Sequence, residues 1–231
     1  MLTYLIIAMP ALLLALYAQW KVKSTYSRYS QVPNARGITG QEAARILLRS
    51  AGLDHIKLEG TSGALSDHYD PGKDVLRLSS EVANRPSVAA LGIVAHEIGH
   101  ASQDATNYGP LRLRAGLVPI VNIGSWLGPI VFLVGLLLVA PATGSNTVAW
   151  AGLLLFAGTA VFSLVTLPVE FNASRRAQQL LENYQLANGE ELQQTKAVLN
   201  AAALTYVAAL AQSLSTLLYY FLILSGSRRR D

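Results

Sequence analysis

The sequence contains no cysteine, which excludes disulfide bonds, thiolate metal ligands and a cysteine nucleophile. Charged residues are also scarce, at 14% of the chain, whereas an average soluble domain carries about 25%. Long basic runs, and basic segments interleaved with aromatic residues, are missing as well, so we expect no nucleic-acid partner. Hydrophobic residues make up 52% of the chain, and this composition is typical of a membrane protein.

Histidine is rare too, but two of the four histidines stand in one pentapeptide, His96-Glu97-Ile98-Gly99-His100. This is an H-E-x-x-H motif. On a helix, residues four apart lie on one face, so two imidazoles can hold one zinc ion and the intervening glutamate can act as a base. Ser87 can cap such a helix, and apolar residues recur at helical spacing up to the motif. The alternative is an ordinary helix with two solvated histidines.

The residues before the motif predict small α and β elements. Thr39 can cap a helix that ends near Ser50, with Glu42 completing a capping box. Residues 56–59 and 75–78 have the pattern of short strands, with a turn at 70–73 between them. The second strand has either an exposed edge that pairs with an extended substrate or a purely structural role in a hairpin.

Four apolar runs approach the roughly 20 residues that a helix needs to cross a bilayer. They cover residues 2–20, 117–140, 147–167 and 201–224. The first run lacks a positively charged start and a clear cleavage site, so we interpret it as a retained anchor. The whole chain is therefore predicted to be a mainly α integral membrane protein with about four transmembrane helices.

Four crossings place the polar segments 21–108 and 169–196 on the same side of the membrane. Several cations flank the runs on that side: Lys21, Lys23, Arg28, Arg112, Arg114, Arg175 and Arg176. The other side has only Arg228, Arg229 and Arg230, which we interpret as a membrane flank. The positive-inside rule then predicts that the polar segments are cytoplasmic, although the three terminal arginines oppose this orientation.

A catalytic zinc usually has three protein ligands, and the third is not obvious here. A metzincin would have glycine and histidine at the positions of Gln103 and Thr106, and a methionine after the motif, so that class is excluded. Asp104 lies one turn beyond His100 and could instead hydrogen-bond an imidazole. Glu170 opens the second polar segment and could be the third ligand, or a partner of a helix dipole.

The chain resembles the YugP-like family of membrane neutral zinc metallopeptidases, which is distantly similar to HtpX and the CaaX prenyl endopeptidases. The matching motifs, in chain order, occupy residues 39–45, 65–71, 76–79, 96–103, 167–177 and 198–206. The resemblance implies a gluzincin-type site for one Zn²⁺, with Glu170 as third ligand beside His96 and His100, in a bacterial inner membrane. Asn172 and Ser174 stand where we expect acidic residues in relatives, and this weakens the expected support around the ligands.

The implied domain organisation has six parts. They are transmembrane helix 1 (1–20), a zincin-like α+β domain (21–116), a membrane hairpin of transmembrane helices 2 and 3 (117–167), the segment with the third ligand (168–200), transmembrane helix 4 (201–225) and a basic tail (226–231). An intramembrane site-two protease would need an aspartate in a later run, and the later runs have none.

The predicted chemistry is hydrolysis of protein or peptide substrates, with Glu97 as the base. His68 and Tyr69 are candidate donors to the oxyanion, unless residues 66–70 form only a turn. Asp104, Ser174 and Arg176 are candidates for supporting the ligands, and Arg176 could pair with a site carboxylate or anchor at the membrane lipid. The alternative function is a catalytically weak or inactive scaffold that binds partners.

Overall fold

The computed structural model describes residues 2–138 and 146–227, and within them the chain is mainly helical with one small sheet. The elements follow in the order α1 (Leu2–Tyr29), α2 (Gly40–Ser50), β1 (Lys57–Thr61), β2 (His68–Asp70), β3 (Val75–Ser79), α3 (Ser80–Asn84), α4 (Val88–Ala105), α5 (Gly109–Leu137), α6 (Thr147–Asn183) and α7 (Gly189–Ser227). The predicted fold class, mainly α with a small α+β part, is confirmed.

Four helices in the described part of the chain, α1, α5, α6 and α7, are long and apolar enough to cross a membrane. They are longer than the apolar runs, since α1 continues to Tyr29 and α7 begins at Gly189. Lysine, glutamate and glutamine favour helix nearly as well as leucine does, so a helix need not end where its apolar run ends. Residues 139–145, where the second apolar run ends and the third has not yet begun, and the three terminal arginines fall outside the described residues.

The chain divides into two compact units. The first comprises Met1–Tyr17, Arg112–Leu167 and Thr205–Asp231. Within it, Gly128 and Gly152 let α5 and α6 approach closely, because a Cβ on Gly152 would lie 2.8 Å from the carbonyl oxygen of Gly128. Phe132 stacks on Tyr220 of α7 with ring centroids 3.9 Å apart.

The second unit comprises Ala18–Leu111 and Pro168–Leu204. Its helix α2 starts at the predicted capping box, in which Thr39 accepts from the Glu42 backbone and the Glu42 carboxylate accepts from the Thr39 N–H. Apolar residues of α2, α4 and α6 meet in one core, whose fully buried members include Leu47, Leu91, Val94, Ile98, Ala177 and Leu181. Burial of this apolar surface fixes α4, and with it the motif, against α6.

The sheet lies in the second unit, with the strand order β1-β3-β2. Strand β3 pairs parallel with β1 and antiparallel with β2. Of the two roles left open for the strand before the motif, a free edge that pairs with substrate is excluded, because β3 is the central strand. The sequence did not predict strand β2, because its three residues are too few to show the alternation of a strand.

Candidate metal centre

The motif lies in the second half of α4, as predicted. Ser87 begins this helix, and its hydroxyl accepts from the backbone N–H of Ala90 at 3.2 Å. His96 and His100 are one turn apart on the same face, with ring centroids separated by 4.8 Å and planes at 83°. Both imidazoles are partly buried, so the helix presents two nitrogen donors to one small volume.

The carboxylate beside these imidazoles belongs to Glu170 of α6. Its Oε2 lies 3.3 Å from Nε2 of His96 and 3.5 Å from Nε2 of His100. The Glu170 side chain is only 2% exposed. One ligand atom from each of the three residues falls within 4.8 Å of the other two, which is close enough for a single metal ion.

The donor set fits zinc. Two imidazole nitrogens and one carboxylate oxygen are the His2Glu set of catalytic zinc sites, which leave a fourth position open. A carboxylate this deeply buried needs positive charge or hydrogen bonds nearby to remain ionised. The facing imidazoles meet part of that need, and a divalent cation among the three donors would meet more of it.

Each imidazole has a further hydrogen-bond partner on its other nitrogen. Nδ1 of His100 lies 3.0 Å from Oε1 of Gln103, and Nδ1 of His96 lies 3.2 Å from the hydroxyl of Ser174. Such partners orient metal-binding histidines and set which nitrogen faces the ion. Ser174 therefore does contact a histidine of the site, although an acidic residue was expected there.

The protonation of His100 reflects opposing effects. Burial lowers the pKa of its imidazole, but the hydrogen bond with Glu170 and the negative charges of Glu97 and Glu170 outweigh burial, and the pKa is raised. The local field is thus negative, and such a field attracts a cation.

Glu97 is not one of the three residues that surround the candidate metal position. Its Oε2 accepts a hydrogen bond from the backbone N–H of Tyr69, at 3.0 Å. That N–H belongs to β2, so the edge of the sheet holds the carboxylate of the proposed base. The hydroxyl of Tyr69 lies 3.0 Å from Asp104 and 3.1 Å from Asp74. Burial and these two carboxylates raise the pKa of the Tyr69 phenol.

Two side chains that were candidates for supporting the site have other partners in the structure. Asp104 does not bond an imidazole, because its carboxylate accepts from Tyr69 and Gln103 occupies the position beside His100. Arg176 donates to Asn172 and to Ser102, and it forms no ion pair with a carboxylate in the described part of the chain. A residue on a helix reaches only the neighbours that its face allows, and that face depends on how α4 and α6 pack.

His68 is an exposed residue of β2, and its contacts lie on the sheet. Its Nδ1 is 2.8 Å from the carbonyl oxygen of Ser66, and its Nε2 is 3.3 Å from Arg77. Arg77 also binds Asp70 at 2.8 Å. The stretch 66–70 is thus partly a strand, not only a turn, and Asp70 accepts from the N–H of Gly72 in the turn that follows.

The contacts of two residues at this site were missed by reasoning from the sequence: Gln103 lies against His100, and Asn172 accepts a hydrogen bond from Gln103. Gln103 was noted only because it is not the glycine of a metzincin. A polar residue three positions after a ligand histidine lies on the histidine's own face of the helix, and this spacing was the available signal.

Comparison with known proteins shows the family of the chain. Residues 4–225 match the family described as "Putative neutral zinc metallopeptidase", and the chain belongs to that family. It is also similar to the "Putative membrane protease YugP" of Bacillus subtilis (strain 168), with 42% identity over 225 residues, covering 97% of this chain and 98% of the relative. No solved structure matches.

Proposed function

We propose that the protein is a multi-pass zinc metalloendopeptidase of the gluzincin type, embedded in the bacterial inner membrane. The observation that carries this proposal is the convergence of His96, His100 and Glu170 on one metal position, with Glu97 on the same helix. Family membership supports peptidase activity and zinc as the metal. The four long apolar helices support the membrane location.

In the proposed mechanism, His96, His100 and Glu170 hold one zinc ion. When bound, zinc supplies Lewis acidity toward a carbonyl oxygen and lowers the pKa of water. Glu97 takes a proton from the attacking water and delivers it to the leaving amine. The Tyr69 N–H holds one oxygen of the Glu97 carboxylate, so the other oxygen can face the water.

The proposed substrates are membrane-proximal or unfolded proteins. Glu170 follows the apolar run 147–167 by only three residues, which supports a site near the membrane surface. The flanking cations support a cytoplasmic catalytic domain by the positive-inside rule. The two candidate donors to the oxyanion have other partners: the Tyr69 hydroxyl lies beside the carboxylates of Asp74 and Asp104, and His68 lies against Arg77.

The decisive experiment compares the wild type with Glu97→Gln after purification in detergent. Bound zinc is measured by atomic absorption and activity by cleavage of casein. We expect one zinc per chain in both proteins and a loss of cleavage of about 100-fold or more in the variant, within the usual contribution of a general base.

Glu182→Gln is the matched control, because Glu182 is an exposed glutamate of α6 and its variant should cleave like the wild type. Equal cleavage by wild type and Glu97→Gln would refute the proposed mechanism. A wild type that retains zinc and cleaves nothing would favour the scaffold alternative.

A further inference from the structure

Gln103 is the most completely buried polar side chain near the candidate metal centre, with 0% exposure. It lies on α4, three residues after His100, and it contacts both helices that carry the proposed ligands. Its Oε1 lies 3.0 Å from Nδ1 of His100. Its Nε2 lies 2.8 Å from the backbone oxygen of Val169 and 2.9 Å from Oδ1 of Asn172. A buried amide with all these contacts is costly to replace.

The neighbours of Gln103 determine which way its amide points. The Val169 carbonyl can only accept a hydrogen bond, so the amide atom that faces it must be the nitrogen. Asn172 leads to the same orientation. The Asn172 atom that faces Gln103 also lies 3.0 Å from Nε of Arg176. Because a guanidinium can only donate, this Asn172 atom must be the acceptor oxygen, Oδ1. Two independent acceptors therefore face the Gln103 nitrogen.

With its nitrogen so placed, Gln103 turns its carbonyl oxygen toward His100. An amide oxygen can only accept, so Nδ1 of His100 must carry the hydrogen. In the neutral ring, the lone pair is then on Nε2, which is the atom facing Glu170. His96 lacks such a constraint, because its Nδ1 meets the Ser174 hydroxyl, which can donate or accept.

We infer that Gln103 is a positioning residue of the metal centre. It fixes the Nδ1–H tautomer of His100, and it joins the backbone next to Glu170, on α6, to helix α4. The effect of Gln103 on zinc binding rests on the proposed function, whereas the tautomer of His100 does not. Val169 immediately precedes Glu170, so one side chain sets the ring of one proposed ligand and the position of another. Loss of such supporting hydrogen bonds typically lowers metal affinity about 10- to 100-fold.

The test begins with the zinc-free wild type. Nitrogen-15 NMR of protein labelled in its histidines distinguishes protonated from unprotonated ring nitrogens, and only four histidines contribute. His100→Gln assigns the signal of interest. We expect Nδ1 of His100 to give the signal of a protonated nitrogen, whatever the charge of the ring. An unprotonated Nδ1 would overturn the inference, and this measurement needs no variant of Gln103 and no active enzyme.

The second part replaces the amide with an apolar side chain of similar length, in Gln103→Met. Gln178→Met is the matched control, because Gln178 also makes a hydrogen bond between helices, to Thr195 at 3.0 Å, and touches no proposed ligand. We expect Gln103→Met to bind zinc about 10- to 100-fold more weakly in competition with a chelator, and its His100 to populate both tautomers. The control should retain wild-type affinity.

The outcomes separate this inference from the proposed function. Unchanged zinc affinity and an unchanged tautomer in Gln103→Met would overturn the inference while leaving the metallopeptidase proposal intact. A wild type that binds no zinc but shows the Nδ1–H tautomer would overturn the proposed function and leave the tautomer assignment standing.

Discussion

Gly99 lies directly against the backbone of Ala173. A Cβ atom built on Gly99 would be 2.5 Å from the carbonyl oxygen of Ala173 and 3.1 Å from its carbonyl carbon. Backbone atoms in a helix cannot yield as a flexible side chain can, so only glycine permits this approach. The glycine inside the pentapeptide thus allows α6 to pack close to α4, and Glu170 lies three residues before the point of contact.

The first prediction follows from this contact. In Gly99→Ala, α6 must move away from α4, which increases the distances between Glu170 and the two imidazoles. We expect zinc affinity to fall about tenfold or more, as it does when groups that place a ligand are disturbed. Chelator competition measures the affinity, and circular dichroism checks that the helices remain.

The control for this prediction lies on the same helix. A Cβ on Gly92 would meet Thr195 at 3.5 Å, an ordinary contact distance. Alanine is about 1 kcal/mol better than glycine inside a helix, so Gly92→Ala should keep zinc affinity and unfold at the same or a higher temperature. Equal zinc affinity in Gly99→Ala and Gly92→Ala would show that the close approach does not matter for the site.

The second prediction separates the two carboxylates that the sequence left as candidates for the site. Glu170→Gln should lose zinc, because the amide keeps the shape but lacks the charge that attracts the ion. Asp104→Asn should retain zinc, since Asp104 bonds Tyr69 and not an imidazole. Zinc stoichiometry after dialysis measures both.

Thermal unfolding provides a second readout of the same pair. A ligand that binds only the folded protein stabilises it by about 2.7 kcal/mol at 100 times its Kd, so added zinc should raise Tm in the wild type and in Asp104→Asn. It should not raise Tm in Glu170→Gln. If the zinc-dependent rise in Tm disappeared in Asp104→Asn but not in Glu170→Gln, Asp104 and not Glu170 would be the third ligand.

The third prediction concerns the orientation in the membrane and uses the absence of native cysteine. A single cysteine at the exposed position Lys73, in the turn before β3, reports the side on which the second unit lies. We expect an impermeant maleimide to label Lys73→Cys only after the membrane is opened. Thr143→Cys, between the second and third apolar runs, should be labelled in spheroplasts. The reverse pattern would place the catalytic domain outside the cytoplasm.

Much of the local structure could be predicted because its causes are local. The capping box of Thr39 and Glu42, the cap at Ser87 and the turn at 70–73 depend on residues within a few positions of one another, and all three are present. Strand β2 was missed, because its pairing with β3 depends on partners elsewhere in the chain.

The surroundings of the motif were harder to predict for the same reason. Asp104 and Gln103 are adjacent in sequence and point to different neighbours, Tyr69 and His100. Which of them supports an imidazole depends on how α4 rotates when its apolar face enters the core, and this rotation is not visible in a list of polar residues. Ser174 was treated as a departure, yet its hydroxyl reaches His96.

The sequence by itself determined the apolar helices, the helix of the motif and the shared face of His96 and His100, because helical periodicity and composition act over one or two turns. The tertiary structure alone decided which carboxylate lies beside the two imidazoles and which side chain orients each ring. Glu170 and Ser174 lie more than seventy positions after His96, and even the nearby Gln103 is oriented by Val169 and Asn172 of the distant helix α6. These relations depend on the close approach of two helices at Gly99 and on the hydrogen bonds of buried Gln103.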